Sequence, residues 1–146
     1  MVSEFDQKLL KELSEDSRQR LKDLARELGV SITTVNNHIQ DLEEEGIIDR
    51  FTIKANYEEL GYTVKALIAV RFRRGSLVES QKQITRSDNV MAVYDVTGSF
   101  DAMVVCRFKS TRDMDDFIKE VLPQEEVKRT ETFVVLNTFK EDFNTV

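Results

Sequence analysis

The spacing of apolar residues changes once along the chain, near residue 46, and this change limits the folds that are possible. Before it, apolar residues recur every three or four positions, as the buried side of a helix requires. After it, alternating strand-like stretches are interleaved with short helical ones. The sequence therefore predicts an α+β protein with a helical head over 1–50, a linker strand and turn over 51–62, and a mixed domain over 63–146.

Two short helices joined by a tight turn dominate the head. A first helix is predicted to begin at Ser3, with Asp6 completing its cap. The second helix ends at Gly29, and "GVS" then leads to a third helix that Ser31 caps and Gly46 ends. This arrangement is typical of a helix-turn-helix DNA-binding head with a winged-helix-like fold. A three-helix bundle without a DNA partner is the alternative.

Charge argues against DNA binding. The chain has a formal net charge of −6, and residues 1–50 hold 7 Lys and Arg against 12 Asp and Glu. The third helix, within "SITTVNNHIQDLEEEG" at 31–46, contains no Lys or Arg and ends in three glutamates. A protein that binds nucleic acid ordinarily presents basic residues to the phosphates.

The third helix nevertheless has an uncharged outer side over its first two turns. A rotation of about 100° per residue turns Val35 inward and turns the polar residues of these turns outward or to the side. Asn and Gln pair with adenine in the major groove, and Thr offers a hydroxyl or a methyl group. The glutamates lie at the end that helix-turn-helix proteins leave outside the groove. The predicted base-reading residues are Thr33, Thr34, Asn36, Asn37 and Gln40.

Phosphate contacts must then come from outside the third helix. Basic residues cluster around the second helix and in the segment after the third, although each could equally be an ordinary surface charge. The predicted phosphate contacts are Arg18, Arg20, Lys22, Arg26, Ser31, Arg50 and Lys54. His38 is the one histidine, and its position predicts a surface or packing role more than base contact. One histidine builds neither a metal site nor a catalytic relay, so we expect no cofactor, no metal and no enzyme.

The linker and the mixed domain follow. "IIDRFTIKAN" is predicted to form a strand, and "YEELGY" one turn that Gly61 stops. From Thr63 the order strand–helix–strand occurs twice, which predicts a ferredoxin-like βαββαβ domain with both helices on one side of an antiparallel sheet. Leu67 and Ala69 would lie on the other side, so both sides are partly apolar. We expect two copies to pack sheet to sheet as a homodimer; a head folded over this side is the alternative.

The remaining composition indicates an intracellular protein. No apolar run approaches the ~20 residues of a membrane helix, and no secretory leader follows Met1. Cys106 lies within "AMVVCRF", which predicts a buried, inert thiol. We therefore expect a soluble, cytoplasmic protein.

Four stretches of the sequence carry a family resemblance: "FDQKLLKELSEDSRQRLKDLARELGVSITTVNNHIQDLEEEGIID" in the head, then "GYTVKALIAVRF", "VYDVTGSFDAMVV" and "VKRTETFVVLNTFK". The first is similar to the amino-terminal half of the Lrp/AsnC transcription regulators, and the other three are similar to their regulatory domain. The resemblance covers almost the whole chain. The resemblance implies binding to double-stranded DNA, homodimers that assemble into tetramers or octamers, and an amino-acid effector bound where dimers meet. Reading helices of this family usually carry Arg where Asn37 and His38 stand here.

The resemblance also implies an effector loop between two strands. The implied effector residues are Thr97, Gly98, Ser99, Phe100, Asp101, Thr130, Glu131 and Thr132. Gly98 would let backbone N–H groups approach an α-carboxylate, and Asp101 could take an α-ammonium. The alternative is an ordinary hairpin turn. Two other functions stay open, a protein-interaction module that never touches DNA and an enzyme similar to haem-pathway decarboxylases, although the sole histidine lies in the head.

Overall fold

A computed structural model describes residues 2–73, 77–122 and 125–144. The chain divides into two compact units, Met1–Lys54 with Lys140–Val146, and Ala55–Phe139. The first unit contains α1 (Glu4–Glu15), α2 (Leu21–Leu28) and α3 (Ile32–Glu44). The second contains β1 (Val64–Phe72), α4 (Leu77–Ile84), β2 (Val90–Asp95), β3 (Ala102–Phe108), α5 (Thr111–Glu120) and β4 (Val127–Val134). The division falls inside the stretch predicted as a linker, and the end of the chain groups with the head.

The predicted cap of α1 is confirmed and has a further partner. The Asp6 backbone N–H donates to Ser3 Oγ at 3.1 Å, and the Ser3 N–H donates to Asp6 Oδ2 at 3.0 Å. The other carboxylate oxygen lies 2.7 Å from His38 Nδ1, and the His38 ring lies 4.6 Å from the ring of Phe5. This network joins the start of α1 to the middle of α3, so His38 has the packing role that the sequence favoured.

The turn between α2 and α3 depends on one glycine. Gly29 adopts φ 70°, a left-handed conformation that glycine adopts without steric cost, and the following Val30 N–H donates to Ala25 O at 3.0 Å. Ser31 Oγ then accepts from the Thr34 N–H at 3.0 Å, as the sequence predicted. The three helices bury one shared core, formed by Leu9, Leu13, Leu24, Ala25, Val35 and Leu42.

The strand predicted within "IIDRFTIKAN" was wrong. Residues 49–56 are described and adopt no regular secondary structure. A strand needs a neighbour that shares its backbone hydrogen bonds, and none of the strand pairs described in this chain includes this segment. Its apolar side chains are consequently exposed, with Ile53 83% and Phe51 46% accessible. The predicted turn does form, since the Tyr62 N–H donates to Tyr57 O at 2.8 Å and the Gly61 N–H to Glu58 O at 2.9 Å.

The second unit has the predicted ferredoxin-like topology. Its antiparallel strands are ordered β2-β3-β1-β4, so β1 lies between β3 and β4. One side of the sheet packs on both helices, through residues such as Ile68 and Val104 of the strands, Ile84 of α4 and Phe117 of α5. We call the other side the open side. By the register of the strands it carries Leu67, Ala69, Met103, Val105, Tyr94 and Phe133.

Cys106 lies in the core between sheet and helices, fully buried. Burial raises the pKa of its thiol to about 12, so the nucleophilic thiolate is scarce at neutral pH. The thiol is thus inert, as the sequence predicted. Among the helices that the structure describes, none is both long and apolar enough to cross a membrane.

Replacing Asp6 with Asn should destabilise the head by about 1–2 kcal/mol at pH 7, because the cap and the His38 contact both weaken. The Ser3 side-chain hydrogen bond is the main cause that lowers the pKa of Asp6 from its ordinary value of 3.8. A lowered folded-state pKa stabilises the fold above the unfolded-state pKa, and this contribution disappears as pH falls through the folded-state value. The difference between wild type and variant should therefore shrink below about pH 4.

Urea unfolding followed by circular dichroism between pH 7 and pH 3 measures this effect. Glu4→Gln is the matched control, since Glu4 lies in the same first turn and makes only an exposed ion pair with Lys8 at 3.2 Å. Equal stabilities of the two variants at pH 7 would contradict the assigned role of Asp6.

Candidate nucleic-acid interface and effector loop

The outer side of α3 is polar and uncharged over its first two turns. Thr33, Asn37 and Gln40 are exposed, and Asn36 is half-buried at the flank, because Val35 on the opposite side is fully buried. Thr34 differs from the prediction in its surroundings, since its Oγ1 lies 2.8 Å from Ser31 Oγ and its N–H is used by the cap. The structure therefore brings four of the five predicted base-reading residues to one accessible surface and turns Thr34 toward the cap.

The acidic residues gather at the far end of α3. Glu43, Glu44 and Glu45 are exposed there. At about 1.5 Å per residue, Glu44 lies about 10 Å along the axis from Asn37. The partial positive charge of the helix dipole is at the other end, next to Ser31, where it favours an anion.

The predicted phosphate-binding residues fall into two groups. Arg18, Arg20 and Lys22 are exposed at and just before the start of α2. The other four already make contacts within the chain. Arg26 pairs with Asp23 at 3.0 Å, Arg50 lies 3.8 Å from Asp49, Lys54 Nζ donates to Glu141 O at 2.8 Å, and Ser31 Oγ serves the cap.

The loop between β2 and β3 is built around backbone contacts. Gly98 has φ 111°, a conformation that L side chains rarely adopt, and Thr97, Gly98 and Ser99 are exposed. Asp101 closes the loop, because its Oδ2 accepts from the Phe72 N–H at 2.8 Å and its own N–H donates to Val70 O at 2.9 Å. Asp101 thus has a structural role at this sheet end, whether or not it also contacts an effector.

The predicted effector residues of β4 do not point in one direction. Thr130 and Thr132 pair with Val70 and Ile68, so they lie on the helix side of the sheet. Glu131 pairs with Ala69 and lies on the open side, where it forms an ion pair with Arg129. The three residues are adjacent in sequence, but only Glu131 shares the open side.

Two arginines that the sequence did not single out for this site join the loop to β4. Arg71 Nη1 donates to Ser99 O at 2.7 Å, and the Arg129 guanidinium carbon lies 5.5 Å from the centre of the Phe100 ring. Arg71 and Arg129 face each other in the register of β1 and β4. Phe100, Arg129 and Glu131 thereby form one cluster at this end of the sheet. The alternation of side chains along β1 is enough to predict that Arg71 lies on the open side. That Arg129 lies opposite Arg71 follows only from the register of β1 and β4.

Within the described residues, no group of three or more His, Cys, Asp or Glu side chains is arranged to hold a metal ion. A helix-turn-helix unit with an uncharged, exposed leading helix end, together with a ferredoxin-like sheet unit, defines a two-part DNA-binding protein.

Comparison with protein families agrees with this class. Residues 65–145 match the model described as "Lrp/AsnC ligand binding domain", and residues 2–49 match "Winged helix-turn-helix DNA-binding". The chain therefore belongs to the Lrp/AsnC family of transcriptional regulators.

Individual relatives match over nearly their whole length. An uncharacterized HTH-type transcriptional regulator of Pyrococcus abyssi is 41% identical over 98% of this chain and 97% of its own. The HTH-type transcriptional regulator FL11 of the same organism is 30% identical over 96% of this chain and 93% of its own. The feast or famine regulatory protein Rv3291c of M. tuberculosis, solved in complex with L-methionine, is 26% identical with a TM-score of 0.90, over 98% of this chain and 97% of that chain.

Replacing Asp101 with Ala should lower the free energy of unfolding of the sheet unit by about 1–3 kcal/mol, because the buried Phe72 loses the acceptor of its N–H. Asp101→Asn keeps an oxygen at that position and should lose less. Urea denaturation measures both variants. The exposed Asp88 supplies the control, Asp88→Ala, and a stability of Asp101→Ala equal to that control would show that the bond contributes nothing.

Proposed function

We propose that the protein regulates transcription by reading A·T base pairs with the uncharged leading end of α3. The observation that carries this proposal is the exposure of Thr33, Asn37 and Gln40 on one side of the helix that follows the helix-turn-helix turn. Asn and Gln side chains form paired hydrogen bonds with adenine, which presents a donor and an acceptor together in the major groove. Guanine is read mostly by Arg, and α3 contains none.

Affinity for the phosphates comes from the exposed cations before and at the start of α2. Arg18, Arg20 and Lys22 lie on the element that crosses the DNA backbone in helix-turn-helix complexes. Each phosphate contact lowers log K by about 0.9 for each unit of log salt concentration. Three contacts per head therefore predict a shallow salt dependence. Because chromosomal DNA is the ligand, we infer that the protein works in the cytoplasm.

Replacing Asn37 with Ala should weaken binding to a preferred site by about 1–3 kcal/mol, because its paired hydrogen bonds to a base are lost. Binding to random DNA should change little, since phosphate contacts remain. Fluorescence anisotropy on a site selected from random duplexes, at low and moderate salt, measures both values.

Glu44→Ala is the matched control, because Glu44 lies on the same side of α3 but about 10 Å further along. It should leave the preference for the selected site intact. Equal losses for Asn37→Ala on both DNAs would contradict base reading. No binding of wild type at either salt would instead favour a protein-interaction module.

The open side of the sheet supports a homodimer. Leu67 and Phe133 face each other in the register of β1 and β4, and Tyr94 faces Met103 across β2 and β3. Tyr94 and Phe133 are 52% and 51% exposed in the single chain. An antiparallel sheet tolerates one solvated side when that side is polar, and these four residues make a large part of this one apolar. We infer that two copies pack these sides together and that such dimers assemble further.

Replacing Phe133 with Glu should weaken the dimer about 100-fold or more, because a charge without a partner would be buried in the interface. Light scattering during size-exclusion chromatography, over a dilution series, measures the dissociation. Gln83→Glu introduces the same charge at an exposed position of α4 and should leave the dimer intact. A dimer undisturbed by Phe133→Glu would place the interface elsewhere.

The cluster at the loop supports an amino-acid effector. Arg129 offers a guanidinium to an α-carboxylate, Glu131 offers a carboxylate to an α-ammonium, and Phe100 offers an apolar wall. The exposed Gly98 leaves its backbone N–H accessible to the same carboxylate. We infer that an amino acid binds here, as one does to the mycobacterial relative, and shifts the balance between oligomers by linkage.

A thermal-shift screen over the twenty amino acids tests the effector, because a ligand of the native state stabilises it by about 2.7 kcal/mol at a hundredfold excess over its Kd. At least one amino acid should raise the melting temperature, and Arg129→Ala should abolish that rise. The neighbouring Lys128→Ala is the control and should retain it. A rise that survives Arg129→Ala would remove Arg129 from the site.

A further inference from the structure

Ile32, the first residue of α3, is a large apolar side chain at the end of the helix that leads toward DNA. It is 50% exposed. The core of the head is complete without it, because Val35, Leu24 and Leu9 are each fully buried. Within the described part of the chain, Ile32 is neither a member of that core nor one of the side chains packed against it. The exposed half of Ile32 therefore contributes nothing to the described core of the head.

Helix geometry aligns Ile32 with the amide side chains. Residues four apart lie above one another on a helix, so Ile32, Asn36 and Gln40 form one row. Thr33 and Asn37 form the neighbouring row, turned about 100° from the first. Ile32 thus stands at the leading end of a row whose next members are amides suited to adenine.

A single exposed apolar residue is ordinary on a protein surface, so exposure by itself assigns no role. Position decides here. The amino-terminal residues of a reading helix are those that contact base edges. The one apolar group that a base pair exposes in the major groove is the 5-methyl group of thymine. Ser31 before it is polar and Thr33 after it carries a single methyl group, so Ile32 supplies the larger apolar side chain at this end.

We propose that Ile32 determines specificity by packing against the 5-methyl group of a thymine next to the adenine that the amide row contacts. This inference rests on the proposed DNA-binding function and adds one base to it. A cytosine at the same place would lack the methyl group and would present an amino donor where thymine presents an acceptor. Removal of the methyl group alone leaves the thymine O4 acceptor and the amino donor of the paired adenine unchanged. It therefore probes the apolar contact selectively.

Deoxyuridine is that probe, because it differs from thymidine only by the missing 5-methyl group. A duplex that wild-type protein selects from random sequence is synthesised with each thymine in turn replaced by deoxyuridine, and affinity is measured by fluorescence anisotropy. One thymine in each half-site should show a loss of about threefold to fivefold, the effect of one buried methyl group. Replacing both half-sites should multiply the two losses.

Two variants assign the loss to its side chain. Ile32→Ala should bind the thymine and deoxyuridine duplexes equally, while Ile47→Ala should keep the difference. Ile47 is a matched control, since it is 38% exposed and lies beyond the acidic end of α3. Circular dichroism confirms that both variants are folded, and the wild-type comparison needs no variant at all.

Two results would overturn the inference. They are an affinity insensitive to deoxyuridine at every thymine and a deoxyuridine loss that Ile32→Ala retains. In each of these the protein still binds DNA specifically, so the proposed function stands. Failure of the selection to enrich any sequence would overturn both this inference and the proposed function. The protein would then bind all duplexes equally, which distinguishes this outcome from the others.

Discussion

Burial of one side of α3 is the interaction on which the DNA-facing surface depends. Val35 and Leu42 enter the same core as Leu24 and Ala25 of α2, and this fixes the rotation of α3 about its axis. Once the rotation is fixed, Thr33, Asn37 and Gln40 point outward. The hydrogen bond between Asp6 and His38 also holds α3 in this rotation, because it joins α3 to the start of α1.

The distribution of charge along α3 reconciles an acidic head with a polyanionic partner. The glutamates lie beyond the third turn, and the leading end carries no charged side chain of either sign. Base edges are recognised by hydrogen-bond geometry and apolar contact, which need no net charge. In the proposed function, the exposed cations at the start of α2 contact the phosphates instead. Base reading and phosphate binding are then separate tasks, and we expect binding to depend less on salt than that of a basic reading helix.

In the second unit, β1 positions the candidate site. It lies between β3 and β4, so it brings the loop that ends at Asp101 next to the strand that carries Arg129 and Glu131. Its alternation also divides the sheet into a side closed by helices and an open apolar side. The proposed surface for a second copy and the candidate effector cluster therefore both depend on one central strand.

The sequence by itself determined the type and order of the three helices of the head and of the elements from β1 to β4, because caps at Ser3 and Ser31, the glycine at position 29 and apolar spacing are local properties. It also determined which side of α3 is exposed, since a helix has a known rotation per residue. It did not determine whether "IIDRFTIKAN" forms a strand, because a strand exists only with a neighbour to pair with. Alternation along a strand already separates Thr130 and Thr132 from Glu131. Only the tertiary structure decided that Thr130 and Thr132 lie on the helix side and that Arg71 and Arg129 meet, because strand register is a relation between segments distant in sequence.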